Sequence, residues 1–179
     1  MPVRINRCED IHQARSFKMV RENVTLNNGA TVDIDFIRHP GATAIVPLAN
    51  ADTLVMIRQY RHALGEYIWE IPAGTMEPGE DGLECARREL AEETGFSADR
   101  WEELGEIVPV PSYSDERIRV FLASGLKPVS GQQKDADEVI EVRKMSVTEV
   151  MEMAGRGDIP DSKTLAVLFM ARHHIEKRR

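Results

Sequence analysis

From Phe17 to His39, apolar and polar residues alternate on both sides of Asn28-Gly29. That dipeptide suits the positive φ angles of a tight turn, and the period of two predicts a β-hairpin. Two apolar runs follow, Ala44 to Leu48 and Leu54 to Tyr60, separated by the loop residues Asn50-Ala51-Asp52; they predict paired core strands. Tyr67 to Ile71 reads as a further short strand, ended by Pro72, whose missing N–H and fixed φ suit a strand end. The Gly- and Pro-containing stretch Ala73 to Gly79 reads as a loop. At about Asp81 the period changes. Leu83, Ala86 and Leu90 recur at helical spacing on a helix running to Thr94, and Gly95 ends it. Beyond it, Glu106 to Val110, Ile118 to Leu122 and Val139 to Met145 read as strands. Ser146-Val-Thr-Glu149 fits a capping box that opens a helix near Met151, and a last helix spans Ser162 to Ile175. Strands and helices in this order predict mixed α/β layers, a sheet covered by helices.

Length and charge narrow what such a fold does. The 179 residues suffice for one main domain, expected over 41–179, preceded by an N-terminal β extension over 1–40. The net charge of −7, from 23 basic and 30 acidic residues, argues against coating nucleic acid or binding an acidic membrane. A small anionic substrate would then need local positive charge or a metal. Cys8 and Cys85 are too few for a disulfide framework or a zinc site. No apolar run approaches the roughly 18 residues a membrane span needs, and no signal pattern opens the chain. The expectation is a soluble cytoplasmic protein.

The chemistry concentrates between Gly74 and Phe96. On a helix, the carboxylates of Glu89, Glu92 and Glu93 fall together on one face. Like charges within one turn repel, and burial would raise their pKa values, so the grouping makes best sense around a divalent cation. Mg²⁺ suits hard oxygen ligands and leaves positions for water and phosphate oxygens, with Mn²⁺ a substitute. Arg88 can return its guanidinium to Glu80 in a bidentate bridge and so fix the loop. Gly74 and Gly79 permit the sharp turns such a loop requires.

Gly74, Glu80, Arg88, Glu89, Leu90, Glu92, Glu93, Gly95 and Phe96 stand at all nine specified positions of the Nudix box, Gx5Ex7REUxEExGU, which this stretch resembles. At average residue usage a random window matches about once in 10⁹. The resemblance implies an α/β/α sandwich with a mixed sheet. It implies that Glu89 and Glu93 are the main metal ligands, that Glu92 contributes, and that the Ala73 carbonyl completes the site. Gly74, Glu80, Arg88 and Gly95 would be structural.

Ile57-Arg58-Gln59-Tyr60-Arg61 followed by Glu70-Ile71-Pro72-Ala73-Gly74 looks like the ADP-ribose and nucleotide-sugar pyrophosphatase branch of that family. The likeness implies that Arg61 contacts the diphosphate or the terminal ribose, with Arg58 and Glu70 also at the substrate. Pro111 falls where ADP-ribose pyrophosphatases carry a proline. Tyr113 falls where a tyrosine marks dinucleoside-polyphosphate hydrolases, and it is a candidate stacking residue. The general base in this branch is a glutamate on a loop after the box; Glu138 is the first choice and Glu141 the alternative. The implied reaction is Mg²⁺-dependent attack of water on the diphosphate of a nucleoside diphosphate sugar, ADP-ribose giving AMP and ribose 5-phosphate. The resemblance also implies a homodimer in which N-terminal strands complete the neighbour's nucleotide pocket. A GDP-mannose or broad nucleotide-sugar hydrolase is the alternative enzyme, and a non-hydrolytic nucleotide-sugar sensor the alternative outside catalysis.

Overall fold

A computed structural model of the chain describes residues 3–129 and 140–178. The hairpin expected around Asn28-Gly29 consists of β2 (Lys18–Thr25) and β3 (Thr31–Arg38), in register from Lys18↔Arg38 to Thr25↔Thr31, with Gly29 at φ +85° in the turn. A further strand, β1 (Arg4–Gln13), pairs with β2 and makes a three-stranded antiparallel sheet. Its pattern hid it: every residue of β1 is exposed, and register shifts at Ile5/Arg7 and Asp10/His12 break any alternation.

The second sheet has seven strands. β4 (Ala42–Asn50) and β9 (Ile118–Pro128) are parallel neighbours at its centre, in the order β10 (Ile140–Ser146), β5 (Thr53–Arg61), β4, β9, β8 (Phe96–Ile107). Helices cover both faces, so the central strands carry apolar side chains in both directions and read as continuous runs. On one face Ile45, Phe121 and Ala123 meet Ala86 and Leu90 of α1 (Gly82–Thr94). On the other, Ala44, Val46, Val120 and Leu122 share a core with Val150 of α2 (Val147–Arg156) and Val167, Leu168 and Ala171 of α3 (Ser162–Glu176). This is the expected α/β/α sandwich with an N-terminal β-hairpin extension.

The sheet splays at the position that matters. β4 and β5 pair only at Leu48↔Leu54 and Asn50↔Thr53. Past that point β6 (Glu66–Glu70) takes the edge of β5, and β7 (Ala73–Thr75) takes the edge of β4. The segment Glu70-Ile71-Pro72-Ala73 therefore crosses between diverging strands, and the stretch expected to be only loop begins as a short strand. β8 also begins ten residues earlier than expected, at Phe96 instead of Glu106. It is an edge strand carrying Asp99, Arg100, Glu102 and Glu103, so polar residues conceal it. Ser146 caps α2 through Oγ, which accepts the Glu149 N–H at 3.0 Å. A reciprocal capping box stands at α1, built by Asp81 and Glu84. Among the described residues no helix is long and apolar enough to cross a membrane.

Candidate active site

α1 is fixed at both ends before its carboxylates are placed. The Asp81 carboxylate accepts the N–H groups of Leu83 and Glu84, and Gly95 closes the helix at φ +73° by donating its N–H to Ala91. With Ala86 and Leu90 buried against the sheet, Glu89, Glu92 and Glu93 turn toward β7. Glu93 is 2 % exposed, and its Oε2 accepts the Ala73 N–H at 2.8 Å. Arg88 gathers the others. Its Nε and Nη2 donate to the two oxygens of Glu80 at 2.9 and 3.0 Å, its Nη1 to Glu89 at 2.7 Å and Glu92 at 3.0 Å, and its Nη2 also to the Thr75 carbonyl at 3.1 Å. The hydrogen bond to Glu80 raises the Arg88 pKa and holds the Glu80 carboxyl below its ordinary value. Cys85 donates its thiol to the Gly74 carbonyl at 3.7 Å; burial pushes its pKa up to about 11, which leaves it a packing residue.

Gly74 has a different role from the one its type suggested. Its φ is not positive, whereas Gly79 turns the loop at φ +86°. A Cβ on Gly74 would fall onto the Glu89 carboxylate. The missing side chain thus makes the cradle in which that carboxylate lies. Gly74→Ala is accordingly expected to leave the melting temperature nearly unchanged, because the obstructed group is the far end of a flexible side chain. Displacing Glu89 should weaken Mn²⁺ binding and activity about 10- to 100-fold; equal Mn²⁺ affinity by titration would exclude the cradle.

Among the described residues no three His, Cys, Asp or Glu side chains converge in a ready metal-binding arrangement. Arg88 occupies Glu89 and Glu92, and Glu93 is turned to Ala73. The donor set still fits a hard divalent cation. One guanidinium stands among three carboxylates, with Glu93 close by on the same helix, and the Gly74 cradle holds Glu89 at a cavity of about 450 Å³ lined also by Arg61, Ala73, Thr75 and Glu77.

A second polar network faces the same place. Glu70, 1 % exposed, takes a bidentate bridge from Arg61 at 2.6 and 2.7 Å and the Lys163 ammonium at 2.8 Å. Lys163 also donates to Asp161 at 2.8 Å, and Asp161 caps α3 at Thr164, whose hydroxyl oxygen accepts the Ile71 N–H at 3.0 Å. Arg61, Ala73, Gly74 and Thr75 line a second cavity of about 340 Å³, with Pro109, Glu116, Asp161 and Lys163. Arg61 stands where the two cavities meet. Lys163 and Asp161 carried no mark in the sequence: Glu70, the partner of Lys163, is more than ninety residues away. Arg15 and Ser16, from the turn between β1 and β2, line the first cavity. This chain's own N-terminal segment therefore reaches the site.

Other expected residues lie elsewhere. Glu141 pairs with Arg58 across β10 and β5, the two side chains 3.8 Å apart. Strand alternation puts Arg58 on the face opposite Gln59 and Arg61, and its guanidinium lies over the rings of Tyr67 and Trp69. Tyr113 is 71 % exposed on a turn whose carbonyl accepts the Ile37 N–H. Arg58 and Tyr113 line neither cavity. Glu138 lies outside the described residues.

A splayed mixed sheet lies between helical layers and carries an acidic, arginine-bound helix at the splay. Residues 38–168 match the NUDIX domain, and the chain belongs to that family as a Nudix hydrolase. It is 37 % identical over 164 residues to the methanol dehydrogenase activator of Bacillus methanolicus, covering 90 % of this chain and 89 % of that protein. It is 32 % identical over 157 residues to the ADP-ribose pyrophosphatase of Bacillus subtilis (strain 168), covering 87 % and 85 %. The crystal structure of an ADP compounds hydrolase superposes with a TM-score of 0.85 over 99 % of this chain and 96 % of that one; at 24 % identity this likeness concerns the fold.

Proposed function

We propose that this chain hydrolyses the diphosphate of a nucleoside diphosphate sugar in a Mg²⁺-dependent reaction, with ADP-ribose preferred and AMP and ribose 5-phosphate as products. The observation that carries the reading is Arg61 at the junction of two cavities, beside the acidic helix. A diphosphate joining two bulky halves needs a cation at its middle and space on either side, and a guanidinium suits it because its donors form a rigid fork. The relative named ADP-ribose pyrophosphatase, at 32 % identity, supports the choice of substrate.

Glu89, Glu92, Glu93 and the Ala73 carbonyl would hold Mg²⁺, or Mn²⁺ in its place. When bound, the ion polarises phosphoryl oxygens as a Lewis acid. Arg61 binds the diphosphate, and Glu70 with Lys163 keeps its guanidinium from turning away. The Arg88–Glu80 bridge holds the Thr75–Glu80 loop at the mouth of the cavity. Glu138 takes the proton from the attacking water; Glu141 suits this less well, because it is engaged by Arg58 on the opposite face. The strands of 1–40 form a homodimer contact on this reading, supported by the exposed apolar side chains of Ile5, Ile11, Met19, Val32 and Ile34 on one small sheet. Residues 41–179 then form the catalytic domain. Cys8 and Cys85 are both free thiols, in keeping with a cytoplasmic enzyme.

The test is product release from ADP-ribose, GDP-mannose and other nucleotide-sugars with and without Mg²⁺. AMP released from ADP-ribose only with the metal, at the highest kcat/KM of the panel, is the expected result. A higher kcat/KM for GDP-mannose would replace the substrate assignment, and binding without turnover across the panel would make the protein a sensor.

A further inference from the structure

Gln59 precedes Arg61 by two residues in β5, so strand alternation puts both side chains on one face. Both line the larger cavity with Ala73, Gly74, Arg88 and Glu89. Gln59 is 6 % exposed, and its Oε1 is buried with no hydrogen-bond partner. Among the described residues it is the only buried side-chain nitrogen or oxygen in that condition. An acceptor withdrawn from water without a donor destabilises the folded state, whereas an apolar side chain of similar size in the same place carries no such penalty. Packing alone therefore gives no reason for an amide here.

Most donors of the two neighbouring guanidiniums point elsewhere. Arg61 directs Nε and Nη2 at Glu70, and Arg88 directs its nitrogens at Glu80, Glu89, Glu92 and the Thr75 carbonyl. The terminal torsion of glutamine is broad, so the amide oxygen can turn to a donor that arrives in the cavity. The diphosphate of a nucleotide-sugar offers acceptor oxygens. Its partners in the cavity, the sugar hydroxyls and the waters carried by a divalent cation, are the groups that offer O–H.

We propose that Gln59 is a ligand-binding residue whose amide oxygen accepts a hydrogen bond from an O–H brought into this cavity, a substrate hydroxyl or a cation-bound water. The inference rests on the diphosphate-hydrolase reading of the same cavity. It makes the unpaired oxygen a property of the ligand-free protein that binding satisfies.

The test compares the native chain with Gln59→Leu, and with Gln59→Met should the leucine variant not fold. Thermal unfolding is measured without ligand, and affinities are measured for Mn²⁺ alone and for ADP-ribose alone in chelator. A structural amide would lower the melting temperature on removal. The expected result is an unchanged or higher melting temperature together with an affinity about tenfold weaker for one probe. Weakened Mn²⁺ binding assigns the O–H to metal-held water, and weakened ADP-ribose binding assigns it to a sugar hydroxyl. Native affinity for both probes in the variant would overturn the proposal while leaving the hydrolase reading intact. Failure of the native chain to bind or cleave ADP-ribose would overturn both.

Discussion

Glu93→Gln is expected to lower kcat for ADP-ribose hydrolysis about 10³-fold, equivalent to ~4 kcal/mol of transition-state stabilisation, and to leave the fold in place. The carboxylate is 2 % exposed and accepts the Ala73 N–H at 2.8 Å. Glutamine keeps an oxygen for that bond and nearly the same shape, so the link between α1 and β7 survives. What it loses is the negative charge that a hard cation requires. Steady-state kinetics beside a thermal melt separate the two effects. A drop in kcat below about tenfold would remove Glu93 from the metal-binding set. A large fall in melting temperature would show that the charge is needed for folding.

Lys163→Met should have the largest effect on stability, about 3–5 kcal/mol, because it leaves the buried Glu70 and the partly buried Asp161 with too little compensating charge. The acid side of the stability profile carries a second signature. Burial opposes ionisation of Glu70, but the hydrogen bonds from Arg61 and the charge of Lys163 outweigh it and hold the pKa below the ordinary 4.5. Burial likewise opposes ionisation of Asp161, and the charge of Lys163 outweighs it, placing this group below 3.8. A folded-state pKa below the unfolded value means that the unfolded chain binds more protons as the solution is acidified. The stabilisation is therefore complete above the unfolded values and is lost as pH falls through the folded ones. Urea unfolding between about pH 7 and pH 3 should show native stability falling on the acid side. The Lys163→Met profile should be flatter there, since its carboxyls titrate closer to their unfolded values. Parallel acid limbs in the two proteins would show that Lys163 does not set these ionisations. The network holds Arg61, so KM should rise in the variant at temperatures where it remains folded.

Much of the architecture was legible because it is written in short-range terms. Asn28-Gly29 between alternating residues specified a hairpin, and the spacing of Leu83, Ala86 and Leu90 specified which side of α1 meets the sheet. The Gly74 to Phe96 spacing placed Arg88 within reach of Glu80, since one helical face and one loop suffice to bring them together. Strands without apolar alternation were not legible. β1 is exposed along its whole length, and β8 carries charged residues on a sheet edge, so neither shows the period of a half-buried strand.

The amino-acid sequence by itself determined the family, the acidic helix and its pairing with the loop, because each depends on residues within about six helical turns of one another. Tertiary structure alone decided what surrounds them. The splay between β4 and β5 sets Ala73 beside Glu93, and α3 delivers Lys163 to Glu70. The same packing brings Arg15 and Ser16 to the cavity and leaves the Gln59 oxygen buried without a donor. These are contacts between segments far apart in the chain. No local period encodes them, because they arise only when the sheets and helices of the described residues have packed together.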